Sequence, residues 1–188
     1  MASIIAFDTT PGALMLGGSA IIKADWTFEL TGLAGKRVVR ANGLPQGWTL
    51  KSVTLDGTDV TDTGVEVKPG QSISGLDVLM TRETTELSGT VQGTKGTSVG
   101  DYVVIVFSGE PSQWGYQSRY VRVARPDQTN RFVISGLPSG SYLAVALDYA
   151  EPGQETDPEF LQGLKQQATS FRLADAEKKA LTLKLSSR

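Results

Sequence analysis

The residues in this sequence whose types and spacing could do chemistry are acids and aromatics, because the 188-residue chain contains neither His nor Cys. Thiol nucleophiles, imidazole acid/base catalysis and the usual soft metal ligands are thereby excluded. Asp56, Asp59 and Asp62 lie three apart around a glycine, and oxygen ligands on a turn are what Ca²⁺ accepts. Asp and Gly in that arrangement also build ordinary turns, through side-chain hydrogen bonds to backbone and tolerance of positive φ, and this is the preferred reading. A second acidic stretch, Asp148, Glu151, Glu155, Asp157 and Glu159, reads as a solvated loop and helix start, where carboxylates complement the helix dipole. In the loop from Gly109 to Ser118, Trp114 and Tyr116 stand between Gln113 and Gln117. Flat rings flanked by amides form the platform on which sugars stack. The competing reading, preferred here, folds both rings back over the edge of a sheet.

Catalysis finds little else to work with. Two carboxylates held about 5–10 Å apart in a cleft would suit a glycosidase. Phosphate-loop and dinucleotide-binding motifs are absent from the sequence, and the G-x-S-x-G spelling at Gly96–Gly100 has no His anywhere in the chain to activate Ser98. No enzyme and no cofactor are expected. Eighteen basic against twenty acidic residues give a net charge of -2, which offers no field for nucleic acid. No apolar run approaches the roughly 20 residues of a membrane span, and Met1–Thr10 lacks the basic start and apolar middle of a signal peptide. Any export signal is therefore expected upstream or already removed. Arg119, Arg122 and Arg125 are expected on a solvated strand, and an isopeptide bond between Lys23 and Asp77 would need both groups buried side by side.

The elements that must position these residues are strands. Short apolar or alternating runs recur between turn signals: Ile4–Phe7, Ala20–Ile22, Arg37–Ala41, Trp48–Leu55, Leu76–Met80 and Leu87–Val91. The continuous runs Tyr102–Phe107 and Tyr142–Leu147 predict central strands covered on both faces. In Trp48–Leu55 the two-residue period slips between Lys51 and Ser52, which predicts a bulge or bend. Thr156 to Glu159 has capping-box spacing with Pro in the first turn, and Phe160, Leu161, Leu164 and Ala168 share a face, so one short helix is predicted near 157–167. Thr169–Leu173 and Ala180–Leu185 return to strand, with Leu181, Leu183 and Leu185 on one face. Phe28-Glu-Leu-Thr-Gly-Leu-Ala-Gly35 and Phe132-Val-Ile-Ser-Gly-Leu-Pro-Ser-Gly140 share the pattern F-x-[LI]-[ST]-G-L, so a strand, turn, strand unit is expected twice. A spacing near 100 residues suits tandem modules rather than a solenoid. The fold class expected is all-β: two tandem antiparallel β-sandwiches, 1–82 and 83–188.

The second copy, with Leu87-Ser-Gly-Thr-Val91, Val103–Phe107 and the Gly-Leu-Pro-Ser-Gly-Ser-Tyr hairpin ending at Tyr142, resembles the carboxypeptidase regulatory-like domain, a transthyretin-like sandwich. The resemblance covers most of 83–188. No S-G-x-V strand precedes Ile4, so the first module is expected to be divergent and truncated at its N-terminus. The resemblance implies a non-catalytic structural or interaction module of a larger exported bacterial protein, extracellular or periplasmic, whose partners are neighbouring domains or another protein. The grouping of related folds with starch-binding-like domains adds carbohydrate as the alternative partner, at Trp114 and Tyr116.

Overall fold

The computed structural model describes residues 1–9, 18–93 and 101–186. Its contacts divide the chain into two units, Met1–Glu83 and Thr84–Arg188.

Unit 1 contains β1 (Ser3–Asp8), β2 (Gly18–Ile21), β3 (Gly35–Asn42), β4 (Thr49–Leu55), β5 (Thr58–Asp59), β6 (Val65–Val67) and β7 (Leu76–Thr81). They form an antiparallel sheet in the order β2-β1-β3-β6 and another in the order β5-β4-β7. Ile4, Ala6 and Val39 of the first sheet pack with Leu50 and Val53 of the second. Alternation carries this core until Lys51. There the register jumps from Leu50 opposite Met80 to Ser52 opposite Leu79, so Lys51 is the extra residue of a bulge. The bulge keeps both Leu50 and Val53 inward although they are three apart, as the slipped period predicts. On β3, Arg37 lies opposite Asp8 and pairs with it at 3.1 Å, while its guanidinium also donates to the Ala34 carbonyl.

Unit 2 contains β8 (Glu86–Gln92), β9 (Val103–Ser108), β10 (Val121–Ala124), β11 (Arg131–Ser135), β12 (Gly140–Leu147), the helix α1 (Pro158–Leu164), β13 (Thr169–Leu173) and β14 (Lys178–Ser186). β11, β8 and β14 pair on one side of the core, and β10, β9, β12 and β13 on the other. The two sets join where Ala146 and Leu147 pair with Leu185 and Ser186. Pairing is antiparallel except along β14, which runs parallel to β8 and to the end of β12. Both parallel pairs are separated by more than the roughly a dozen residues that a return in the same direction requires: β8 and β14 are the first and last strands of the unit, and α1 and β13 lie between β12 and β14.

β9 is covered on both faces, as its continuous apolar run predicts. Val104 and Val106 enter the core between the sheets. Val103, Ile105 and Phe107 pack under Leu161 and Leu164 of α1. The helix begins one residue later than the capping-box spacing implies: Asp157, not Thr156, is the N-cap, and its carboxylate accepts the Glu159 N–H at 2.9 Å. A turn of 3-10 helix, Lys165–Gln167, completes the predicted span.

The repeated Phe-to-Gly motif folds differently in its two copies. Phe132–Ser135 lies on β11 and Gly140 opens β12, whereas Phe28–Leu33 forms no ladder and only leans its side chains on the unit 1 core. Gly32 and Gly136 nevertheless both take positive φ, 71° and 76°. The expectation of the same strand, turn, strand unit twice is therefore corrected: the motif specifies a reversal at glycine, and strand pairing depends on the neighbours each copy finds.

Candidate interaction site

The sequence motif of unit 2 is used by its own packing. A Cβ placed on Gly89 would lie 1.9 Å from the Leu181 carbonyl oxygen and 2.8 Å from Phe132 Cζ. Gly89 is therefore the gap in β8 across which β14 and the Phe132 ring approach, since Phe132 and Leu181 are its register partners on either side. Tyr142 is buried, and its hydroxyl donates to the Pro138 carbonyl at 2.7 Å. Thr85 donates to the Leu137 carbonyl and accepts the Gly136 N–H on its own carbonyl. The Gly-Leu-Pro hairpin is thus held at three successive residues.

The acids are used in turns. Leu55 pairs with Thr58 around Asp56-Gly57, whose φ values of 49° and 79° form a two-residue type I′ hairpin. Asp59 accepts the Thr61 N–H at 2.8 Å and the Thr61 hydroxyl at 2.6 Å. Asp62 meets the Arg40 guanidinium at 3.3 Å. Asp56 serves the turn through its backbone and the carboxylates of Asp59 and Asp62 serve separate local interactions, and among the described residues no group of three or more His, Cys, Asp or Glu side chains is placed to hold a metal ion. These local roles favour the turn reading of Asp56, Asp59 and Asp62 over the Ca²⁺ one. In the second acidic stretch Asp157 caps α1 and Glu155 accepts the Gly153 N–H.

The aromatic loop also turns inward. The Trp114 indole N–H donates to the Ser108 carbonyl at 2.8 Å, its ring meets Phe107 edge-on at 5.5 Å, and the Lys165 ammonium sits 5.7 Å from the ring centroid. Gln113 accepts the Ser108 hydroxyl. Gln117 is a half-buried turn residue with φ of 60°, and Tyr116 is exposed. Arg122 departs from the expected solvated strand. It lies opposite Val106, on the core-facing side of β10, and donates to the Ser118 and Val121 carbonyls. Burial, followed by the neighbouring Arg119 charge, pushes its pKa down, against an opposing contribution from Tyr142. Lys23 and Asp77 are both exposed, which speaks against the buried pairing that an isopeptide bond needs.

Among the described residues, packing leaves an open groove on unit 1. A groove of about 240 Å³ runs beside β7, walled by Leu76, Val78 and Met80 on one side and by Ile22, Trp26 and Phe28 on the other. Trp26 is 77% exposed and adopts φ of 65°, a left-handed conformation that costs a bulky residue about 1–2 kcal/mol. The loop that enforces it closes at Lys23 and Thr27, whose N–H and carbonyl bond at 2.8 Å. The Trp26 N–H donates to the Lys23 carbonyl, and Asp25 accepts both the N–H and the hydroxyl of Thr27. These bonds hold the Asp25 carboxyl below its usual pKa.

Among the described residues β7 pairs on one side only, with β4, and its other edge is open. The Val53 N–H donates to the Thr61 hydroxyl oxygen and its carbonyl accepts the Val60 N–H, so both groups face away from β7. Val78, opposite Val53, must then direct its own N–H and carbonyl away from β4. Gly75 gives the same phase, because its carbonyl accepts the Asp56 N–H. Leu76, Val78 and Met80 therefore present backbone groups outward, while the side chains of Asp77 and Leu79 are exposed. The sequence reading missed this site. Its one signal was a Trp in the polar turn Lys23–Thr27, which contains no Gly to announce the left-handed bend.

No protein-family model matches the sequence, and no curated protein matches it. Among solved structures, the chain is similar to a streptococcal ancillary pilin (9% identity, TM-score 0.38), matching over 98% of this chain and 61% of that one. It is similar to the major pilin subunit of Bacillus cereus (8%, TM-score 0.37), over 98% of this chain and 59% of that one. It is also similar to a proposed carbohydrate-binding protein of Pseudomonas aeruginosa (13%, TM-score 0.32), over 53% and 87%. The chain thus spans less than two thirds of the length of either pilin. The class that its own geometry defines is a β protein of two units, each with sheets packed over an apolar core.

Proposed function

We propose that this chain is a non-catalytic structural and interaction module of a larger exported bacterial protein, with two tandem sandwiches at 1–82 and 83–188. In this reading the second is carboxypeptidase regulatory-like and the first a divergent relative. The observation that carries it is the fate of the chemically capable side chains. The acids sit in turns, caps and ion pairs, Trp114 braces a core, and among the described residues no buried side-chain nitrogen or oxygen lacks a hydrogen-bond partner. The roles of Gly89, Phe132 and Tyr142 support the family resemblance, because each residue of its motif has a packing task. A place at the cell surface or in the periplasm follows from that resemblance, and the partners are neighbouring domains or another protein. No helix of the described residues is long and apolar enough to cross a membrane.

Thermal unfolding in the presence of a soluble glycan panel and of Ca²⁺ tests this reading. Transitions that stay put under both are expected, since a ligand bound only by the folded state raises stability with its concentration. A saturable upward shift with a glycan, lost in Trp114→Ala, would replace the scaffold reading with the carbohydrate one.

A further inference from the structure

The geometry points to self-association of this chain through β7: a second copy adds its own β7 antiparallel to the open edge, about a two-fold axis at Val78. This inference rests on reading unit 1 as an interaction module and names its partner.

The argument is one of register. Outward backbone groups belong to Leu76, Val78 and Met80, so the pairs that exchange hydrogen bonds must be drawn from these three. Symmetric pairing then sets Val78 against Val78 of the second copy and Leu76 against Met80 in both directions. On the groove side every facing pair is apolar. On the other side Asp77 falls opposite Leu79, so no like charges face each other across the pair. The edge is self-complementary as an isologous two-fold contact requires. It also lacks the usual defences of an edge strand, having no Pro, no Lys, no inward charge and no bulge of its own. The exposed Trp26 lies along the groove and Leu79, 53% exposed, on the opposite face of β7, and an added strand would cover apolar surface that a lone copy leaves in water.

The test is sedimentation equilibrium of the whole chain from ~1 μM to ~1 mM, the range in which small interfaces associate. The wild type is expected to show a reversible monomer–dimer equilibrium. Val78→Pro removes an N–H that faces outward, where an edge strand tolerates proline, and is expected to weaken the dimer ~10- to 100-fold by deleting two hydrogen bonds, with an unchanged far-UV circular dichroism spectrum. Leu79→Lys, on an exposed side chain, sets an ammonium beside Asp77 of the second copy and is expected to tighten the dimer a few-fold at low salt. A wild type that stays monomeric throughout overturns the proposal, including one that instead binds a foreign extended peptide at β7. So does a dimer indifferent to Val78→Pro, or one that Leu79→Lys weakens. None of these results touches the non-catalytic reading, which the ligand-shift experiment tests separately.

Discussion

The edge strands of the two units are treated in opposite ways. In unit 2, β10 turns Arg122 toward the core and satisfies it with backbone carbonyls, an inward charge that makes the strand a poor template for a second chain. The start of β11 is covered by the loop before it: Asp127 accepts the Arg131 N–H on its carboxylate and donates its own N–H to the Arg131 carbonyl. In unit 1, β7 carries neither device. The cores differ in the same sense. Among the described residues, unit 2 buries thirteen apolar side chains between its sheets and eight more under α1 and the Trp114 loop, against five in the unit 1 cluster. The β10 and β11 edges of unit 2 are thus guarded, whereas β7 of unit 1 is the edge proposed to take an added strand. The lesson is that contact capacity in a β protein is read from which backbone groups and apolar side chains are left over once packing is satisfied.

The comparison breaks most easily at Gly89. Gly89→Ala drives a methyl into the Leu181 carbonyl and should destabilise unit 2 by about 3 kcal/mol or more, as backbone overpacking does. Trp114 is the single Trp of unit 2, while Trp26 and Trp48 report on unit 1, so denaturant unfolding of single-Trp variants should show the loss in the Trp114 signal alone. An equal loss in both signals would mean that the units do not differ as described. Next comes Asp8→Ala, which strips the buried Arg37 of its carboxylate and should cost unit 1 about 2 kcal/mol by the same measurement, less than a fully buried pair because Asp8 is partly exposed. Tyr142→Phe should cost about 1 kcal/mol through the lost bond to Pro138, leaving the buried ring in place.

The smallest effect is electrostatic. Asp127, which guards β11, is held below its usual pKa of 3.8 chiefly by the Thr129 hydroxyl, then by the Arg131 and Thr129 N–H groups. A lowered folded pKa means that the group stabilises unit 2 above its unfolded pKa, and that this contribution is lost as pH falls through the folded value. Asp127→Asn should therefore lower the neutral plateau of unit 2 slightly and converge with the wild type in acid, where Asp127 is protonated, so that the fall in stability below about pH 4 becomes shallower. A loss equal in acid and at neutral pH, with the acid limb unchanged, would contradict the assignment.

Much of this architecture was legible in the sequence because local patterns dictated it. The slipped period at Lys51 marked the bulge, the run from Tyr102 to Phe107 marked a strand covered twice, and the face of Phe160, Leu161, Leu164 and Ala168 marked the helix. What was not legible depended on distant partners. Phe28 to Leu33 carries the same letters as β11 but has no β8 beside it, so it stays unpaired. β14 gives no sign in its alternation that its neighbours run parallel. The groove escaped notice for a related reason: Leu79 looks like any alternate residue of a strand until the sheet order leaves β7 without a second neighbour. Inward burial of Arg122 was hidden because the start of β10, and hence its phase, is set by pairing with β9.

Amide hydrogen exchange along β7, measured in dilute solution, tests the central claim most directly. The account predicts alternation: the amides of Asp77 and Leu79 protected by β4, and those of Leu76 and Val78 exchanging near the rate of open chain, while the Arg131 amide on β11 is slowed by Asp127. Protection of Val78 equal to that of its neighbours in dilute solution would show that the edge is already covered, and would contradict it.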